Sequence, residues 1–383
     1  MAIHFSADEL AARRARAVAA MQEQGLDALL LFKQESMYYL TGYDTFGYVY
    51  FQCLVLTADG RRALLTRSAD LRQARHTSDI DDVRIWVDRD GANPAADLKG
   101  MLAEFGLAGR RLGAEFGAYG LNHALGKRLE ATLDGFCTLQ DVTGLIDRQR
   151  LVKSPAEMAY VRRAAELADL ALDAAHDTIA PGAFEGDILA AMHGAIYRGG
   201  GDDPANEFII GSGRDALLCR YFSGRRHLDA TDQITLEFAG VYRHYHACLM
   251  RTIPVGGATD QQRRMHGVAL DAMQACIAAL RPGEPIGRVF DAYAAVCDKA
   301  GMQAHRLNAC GYSLGTTYAP NWMDWPMFYA GNPVIAEPDM VFFLHMILMD
   351  SENGVAMCPG QTVRVGQNGA ELLSARSLDL VVR

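Results

Sequence analysis

The chain has 383 residues, half of them hydrophobic and 22% charged, which is enough for two domains with packed cores and excludes a disordered chain. Its formal net charge of -9 argues against a nucleic-acid partner and against an anionic membrane surface, both of which favour a basic excess. Eight scattered cysteines with no C-x-x-C pair argue against a zinc ribbon or redox motif and fit free thiols in a reducing cytoplasm. In chain order, Ser6 caps a helix that runs to Gln24, with Asp8 and Glu9 in its first turn and Gly25 as its stop. Residues 1–32 lack a basic segment followed by an apolar one, so no secretory leader is expected, and no apolar run reaches the roughly 20 residues of a membrane span.

The run DALLLF reads as a strand, and VYFQCLVLTADGRRALLTR as a hairpin turning at Asp59-Gly60. Helix and strand patterns alternate to about Asp147, a mixed α/β first domain over residues 1–150. A second domain, 151–383, opens with Ser154-Pro155-Ala156-Glu157, which supplies a helix cap, a proline at the first helical position and a carboxylate at the third. Beyond that long helix, FEGDILAAMHGAIYRGGG is helical and NEFIIGSG a strand. DQITLEFAGVYRHYHACLMRTIPVG then reads as a strand pair, followed by two helices. DMVFFLHMILMD and GQTVRVGQNGAELLS close the chain as strands. Helices packed on one side of an antiparallel sheet give an α+β fold.

RLVKSPAEMAYVRRAAELAD, the strand pair ending Met250-Arg251-Thr252, then GYSLG, DMVFFLHM and TVRVGQNGAELLS resemble, in this order, the creatinase, prolidase and methionine aminopeptidase family. The resemblance implies a pita-bread catalytic domain behind a smaller creatinase-type N-terminal domain, and a homodimer. Metal-dependent members place two Asp, one His and two Glu on these elements, hard ligands for a pair of divalent ions. Here those positions fall at Phe238, near Cys248, at Tyr312, at His345, and at Gly360 or Gln361. The expectation is therefore no metal, no other cofactor, and no peptidase activity. The segments look most like the metal-free branch, creatinase and ectoine hydrolase, although the acid/base histidine of those hydrolases falls at Arg220.

The implied reaction is metal-independent hydrolysis of a non-peptide C–N bond in a small zwitterion, an ectoine-like cyclic amidine or a guanidino acid. A lyase acting on a small onium or betaine substrate, and a silent binding member of the fold, are the alternatives. His345 and His246 are the expected proton carriers, having unperturbed pKa values near 6.5. Arg220 offers a planar fork for a substrate carboxylate, and Tyr312 a donor or a filler of the space a metal would occupy. Strand alternation puts Phe238 and Cys248 toward the cleft, in a row with Tyr242, His244 and His246. Glu237 then faces the helix layer, and only relatives with Glu there keep it in the site. Tyr48, Tyr318 and Trp322, with Tyr43, Phe46, Tyr50 and Trp325, form a candidate aromatic group for a cationic ligand.

Overall fold

A computed structural model describes residues 3–383 and divides the chain into two compact units, Met1–Arg150 and Leu151–Arg383. The first contains helices α1 (Ala7–Glu23), α2 (Gln34–Thr41), α3 (Leu71–Thr77), α4 (Pro94–Glu104), α5 (His123–Leu133) and α6 (Leu145–Leu151), the last ending at the division. Its strands are β1 (Ala28–Leu31), β2 (Cys53–Thr57), β3 (Arg62–Arg67), β4 (Asp82–Trp86), β5 (Arg111–Ala114) and β6 (Thr138–Asp141). They form one mixed sheet in the order β4-β3-β2-β1-β5-β6. The central strand β1 is apolar on both faces because both are covered. Ala28 and Leu30 pack with Leu98 and Leu129 of α4 and α5, while Leu29 and Leu31 pack with Ala17 and Met21 of α1. Ser6 caps α1 by accepting from the Glu9 N–H at 3.2 Å, as the sequence predicts.

The second unit contains α7 (Pro155–Thr178), α8 (Glu185–Arg198), α9 (Asp260–Ala279) and α10 (Gly287–Lys299). Its strands are β7 (Ile209–Ser212), β8 (Asp232–Tyr242), β9 (Tyr245–Val255), β10 (Gly311–Ser313), β11 (Asp324–Met327) and β12 (Val341–His345). After these come β13 (Leu348–Asp350), β14 (Val355–Met357), β15 (Gly360–Gly366) and β16 (Gly369–Leu372). The main sheet runs β11-β10-β12-β15-β9-β8-β7, with β16 paired to β15. DMVFFLHMILMD, read as one strand, breaks after His345, and β13 leaves to pair with β14 in a separate ribbon. The Ser154 capping box is present in full, its hydroxyl on the Glu157 N–H and the Glu157 carboxylate on the Ser154 N–H. Among the described residues, no helix is long and apolar enough to cross a membrane.

Helices cover one face of this sheet. Phe342, Leu344, Val363 and Val365 pack with Met273 and Cys276 of α9 and Val289 of α10. At Gly240 a Cβ would stand 2.1 Å from the Ala164 carbonyl oxygen, so α7 presses directly on β8 there and no larger residue fits. The other face is left for the site. Which residues reach it depends on the β8–β9 hairpin, which turns on only two residues, Arg243 (φ 51°) and His244 (φ 66°), between the paired Tyr242 and Tyr245. Positive φ at both central positions is the geometry that right-twisted hairpins favour, here adopted without glycine.

That register corrects the expected faces. Cys248 pairs with Ala239 and Met250 with Glu237, so Glu237 and Cys248 share a face. Phe238 points the opposite way, its ring 5.7 Å from Phe208, and Tyr242 lies edge-on to Tyr160 of α7 at 5.7 Å. The carboxylate, not the phenyl ring, faces the open side.

Candidate active site

One continuous row crosses four strands. Glu237 on β8 pairs with Met250 on β9, Met250 with Gly360 on β15, and Gly360 with His345 on β12. Residues opposite one another in a ladder point to the same side, so this row presents a carboxylate at one end and an imidazole at the other. On a flat sheet the two backbones would stand about 14 Å apart, three strand spacings. The sheet is not flat. Tyr312 on β10, one strand beyond β12, donates its hydroxyl to Glu237 Oε1 at 3.0 Å, which requires the sheet to curl into a trough. The trough holds a cleft of about 150 Å³ lined by Arg220, Glu237, Tyr312, Trp322, His345 and Ile347, among others.

Glu237 is 6% exposed, and burial raises its carboxyl to about 7, against the opposing pulls of the Tyr312 hydrogen bond and the Arg220 charge. Tyr312 is itself held by Trp322, whose indole N–H donates to its oxygen at 2.8 Å. Its hydroxyl proton is thus committed to Glu237, and burial raises its pKa well above the usual phenol range. The expectation that Tyr312 donates to a substrate carboxylate does not hold. It steadies Glu237, whose Oε2 has no hydrogen-bond partner among the described residues.

His345 is also 6% exposed, its ring 5.6 Å from those of Tyr312 and Phe343. Burial, joined by the Arg220 charge and opposed by a backbone hydrogen bond, lowers its pKa to about 4. It is therefore neutral near pH 7. Its Nδ1 is buried without a hydrogen-bond partner and out of reach of solvent, which leaves Nε2 as the ring nitrogen open to the cleft. Arg220 stands at the cleft mouth, exposed, in the turn after β7. Its one hydrogen bond is from Nη2 to the Met323 sulfur at 3.6 Å, and among the described residues no carboxylate pairs with it.

His246 is buried with both nitrogens engaged, Nε2 accepting from the Ala205 N–H at 2.9 Å and Nδ1 facing the His244 carbonyl at 2.8 Å and Thr317 Oγ1 at 3.2 Å. Burial brings its pKa to about 3, so it serves as a neutral tie between the hairpin and two loops, without a nitrogen left for substrate. Tyr318 stacks on His244 at 4.2 Å, at the hairpin turn. Cys248 faces the trough beneath the cleft, fully buried, its thiol raised by burial and by the Glu237 charge. Tyr48 belongs to the N-terminal unit, on the short turn Gly47–Val49. Tyr43 is core there, bonded through its hydroxyl to Gln52 at 3.2 Å. Within the second unit, Trp322 lines the cleft while Tyr318 and Trp325 do not. Cys219, Asn206, Asn321 and Met323 line it without having been expected, since nothing local in their sequence marks them.

The donor set does not fit a pair of divalent ions. The trough offers one carboxylate, one imidazole, a phenol and a thiol whose pKa values are both raised, and a glycine. Among the described residues, no group of three or more His, Cys, Asp or Glu side chains is placed to hold a metal ion. At Gly360 a Cβ would lie 2.6 Å from the Phe343 ring and 2.7 Å from the Met250 Cβ, so the space for a fifth ligand is already filled.

Residues 159–370 match the metallopeptidase family M24, and residues 13–152 the creatinase/prolidase N-terminal domain. An uncharacterized hydrolase/peptidase of Sinorhizobium fredii is 27% identical, over 100% of this chain and 99% of its own. Ectoine hydrolase of Halomonas elongata is 24% identical, again over 100% of this chain and 99% of its own. The solved recombinant prolidase from Thermococcus sibiricus has a TM-score of 0.87 at 18% identity, covering 99% of this chain and 100% of that one, a likeness of fold.

Proposed function

The chain belongs to the M24 metallopeptidase family, with a pita-bread catalytic domain behind a creatinase-type N-terminal domain, and we propose that it is a metal-independent hydrolase of a non-peptide C–N bond in a small zwitterion. The observation that carries this reading is the pairing of Glu237 and His345 across a trough whose donor set does not suit metals. Between about pH 4 and about pH 7, His345 is a free base while Glu237 keeps its proton. A water on His345 Nε2 adds its oxygen to the carbon of the C–N bond and gives one proton to the imidazole. Glu237 gives its proton to the nitrogen as the C–N bond breaks, and solvent carries the imidazole proton back to the carboxylate. Arg220 holds the substrate carboxylate at the mouth, and Ile209, Leu307, Met327 and Ile347 receive its hydrocarbon part.

In this reading Glu237 joins His345 as the second proton carrier, and His246 has a positioning role. The similarity to ectoine hydrolase supports a cyclic amidine as substrate. The test is turnover of ectoine against an Xaa-Pro dipeptide, with products identified by mass. Ring opening with uptake of one water and no dipeptide cleavage is expected; dipeptide cleavage alone would overturn the reading. A lyase would release its product without added water, and a binding protein would retain ectoine unchanged. We also propose a homodimer in the cytoplasm, in keeping with the family resemblance and eight free cysteines, and sedimentation of the purified chain tests the dimer.

A further inference from the structure

Glu185 opens α8, outside the cleft, yet its side chain is fully buried and accepts four hydrogen bonds. Oε1 takes the Ser212 hydroxyl at 2.6 Å. Oε2 takes the Ser223 hydroxyl at 2.7 Å and the N–H groups of Arg225 and Arg226 at 2.9 and 3.0 Å. Burial alone would raise this carboxyl; the four donors hold it below the usual glutamate range, so it stays charged. Ser212 ends β7, and Ser223, Arg225 and Arg226 lie where the following loop returns toward β8. One carboxylate therefore ties both ends of the segment that carries Cys219 and Arg220 to the cleft mouth. Other bonds also hold the loop's ends: Ser223 N–H on the Ile210 carbonyl at 2.9 Å, Ile210 N–H on the Tyr221 carbonyl at 3.3 Å, Glu185 N–H on the Arg226 carbonyl at 2.9 Å, Gln233 Nε2 on the Gly213 carbonyl at 2.9 Å, and Arg226 on Ser212 Oγ at 2.7 Å and on Asp229 and Asp232. Nearer Arg220, among the described residues, there are only Leu218 N–H on the Asp215 carbonyl at 3.0 Å and Cys219 Sγ on the Met349 sulfur at 3.7 Å. Arg220 itself has only a thioether contact to hold it.

We propose that Glu185 is the positioning residue of the anion anchor: it fixes the loop so that Arg220 stands over the cleft before substrate arrives. This rests on Arg220 being the carboxylate anchor, and it adds a residue well outside the site to the determinants of binding. Preorganising a charged partner lowers the ordering penalty of binding, so loosening the tether weakens affinity without touching the proton carriers.

Two readouts test it on the full chain. The first needs no ligand. Alkylation of Cys219 by iodoacetamide, located by peptide mass, reports loop opening and should quicken about tenfold in Glu185→Gln and in the milder Ser223→Ala. The second is the Kd of ectoine in wild type, Arg220→Ala, Glu185→Gln and the double variant. Arg220→Ala should raise Kd by about 10- to 100-fold, the range for a lost charged hydrogen bond, and Glu185→Gln by about tenfold. The double variant should be no worse than Arg220→Ala, because Glu185 acts through the arginine. Unchanged alkylation in both tether variants overturns the tether. Additive losses in the double variant show that Glu185 acts independently of Arg220 and overturn its positioning role. If wild type binds no ectoine, or Arg220→Ala binds it as tightly as wild type, the anchor reading fails, whatever the alkylation rates show.

Discussion

Glu237→Gln removes a proton carrier and should also make the protein more stable, which separates a functional carboxylate from a structural one. Burial raises the Glu237 carboxyl from 4.5 to about 7. At about 1.4 kcal/mol per pKa unit, ionising it inside the fold therefore costs on the order of 3 kcal/mol more than ionising it in the unfolded chain. The folded state binds the proton more tightly, so stability is fullest below pH 4.5 and falls as pH rises toward about 7, above which the whole penalty applies. Glutamine fits the same space, still accepts from Tyr312, and never ionises. Urea unfolding of both proteins at pH 8 and at pH 4.5 measures this. Glu237→Gln should be more stable by up to about 3 kcal/mol at pH 8, the difference fading toward pH 4.5, while turnover falls by roughly 10² to 10⁴. The titration of His345 is common to both proteins and largely cancels. A variant less stable at pH 8, or a difference that ignores pH, would refute the reasoning.

The pH dependence of kcat/KM should be a bell, rising through about 4 as His345 loses its proton and falling through about 7 as Glu237 loses its own. His345→Asn keeps a hydrogen-bonding group but cannot titrate, so turnover should fall by roughly 10² to 10⁴ with little change in ectoine affinity. Full activity in that variant would make His345 a packed core residue. Arg220→Lys keeps the charge and loses the planar fork, and should weaken ectoine binding by about tenfold; calorimetry showing wild-type affinity would remove Arg220 from the site.

Much of this was legible from local patterns. Ser154-Pro155-Ala156-Glu157 announced α7 and the start of the second unit, and the apolar alternation of β8, β9 and β12 announced the sheet. What failed was a single-residue question. Whether Glu237 or Phe238 faces the trough depends on register, and register depends on a two-residue turn made by Arg243 and His244. Neither is glycine, asparagine or aspartate, so the usual sign of such a turn is missing. His246 looked available because its partners, the Ala205 N–H and Thr317, come from loops distant in sequence. The raised carboxyl of Glu237 likewise arises from burial in the folded trough, against the pull of its hydrogen bond from Tyr312, 75 positions further along. Burial and long-range hydrogen bonding set these properties, and neither is written in neighbouring residues.

Metal-independence is tested most directly by assaying ectoine hydrolysis on protein dialysed against a chelator, with elemental analysis of the same sample. The trough of Glu237, Cys248, Tyr312, His345 and Gly360 predicts an undiminished rate with transition metal well below one equivalent per chain. Loss of activity on chelation, restored by manganese or cobalt at two equivalents per chain, would contradict the account.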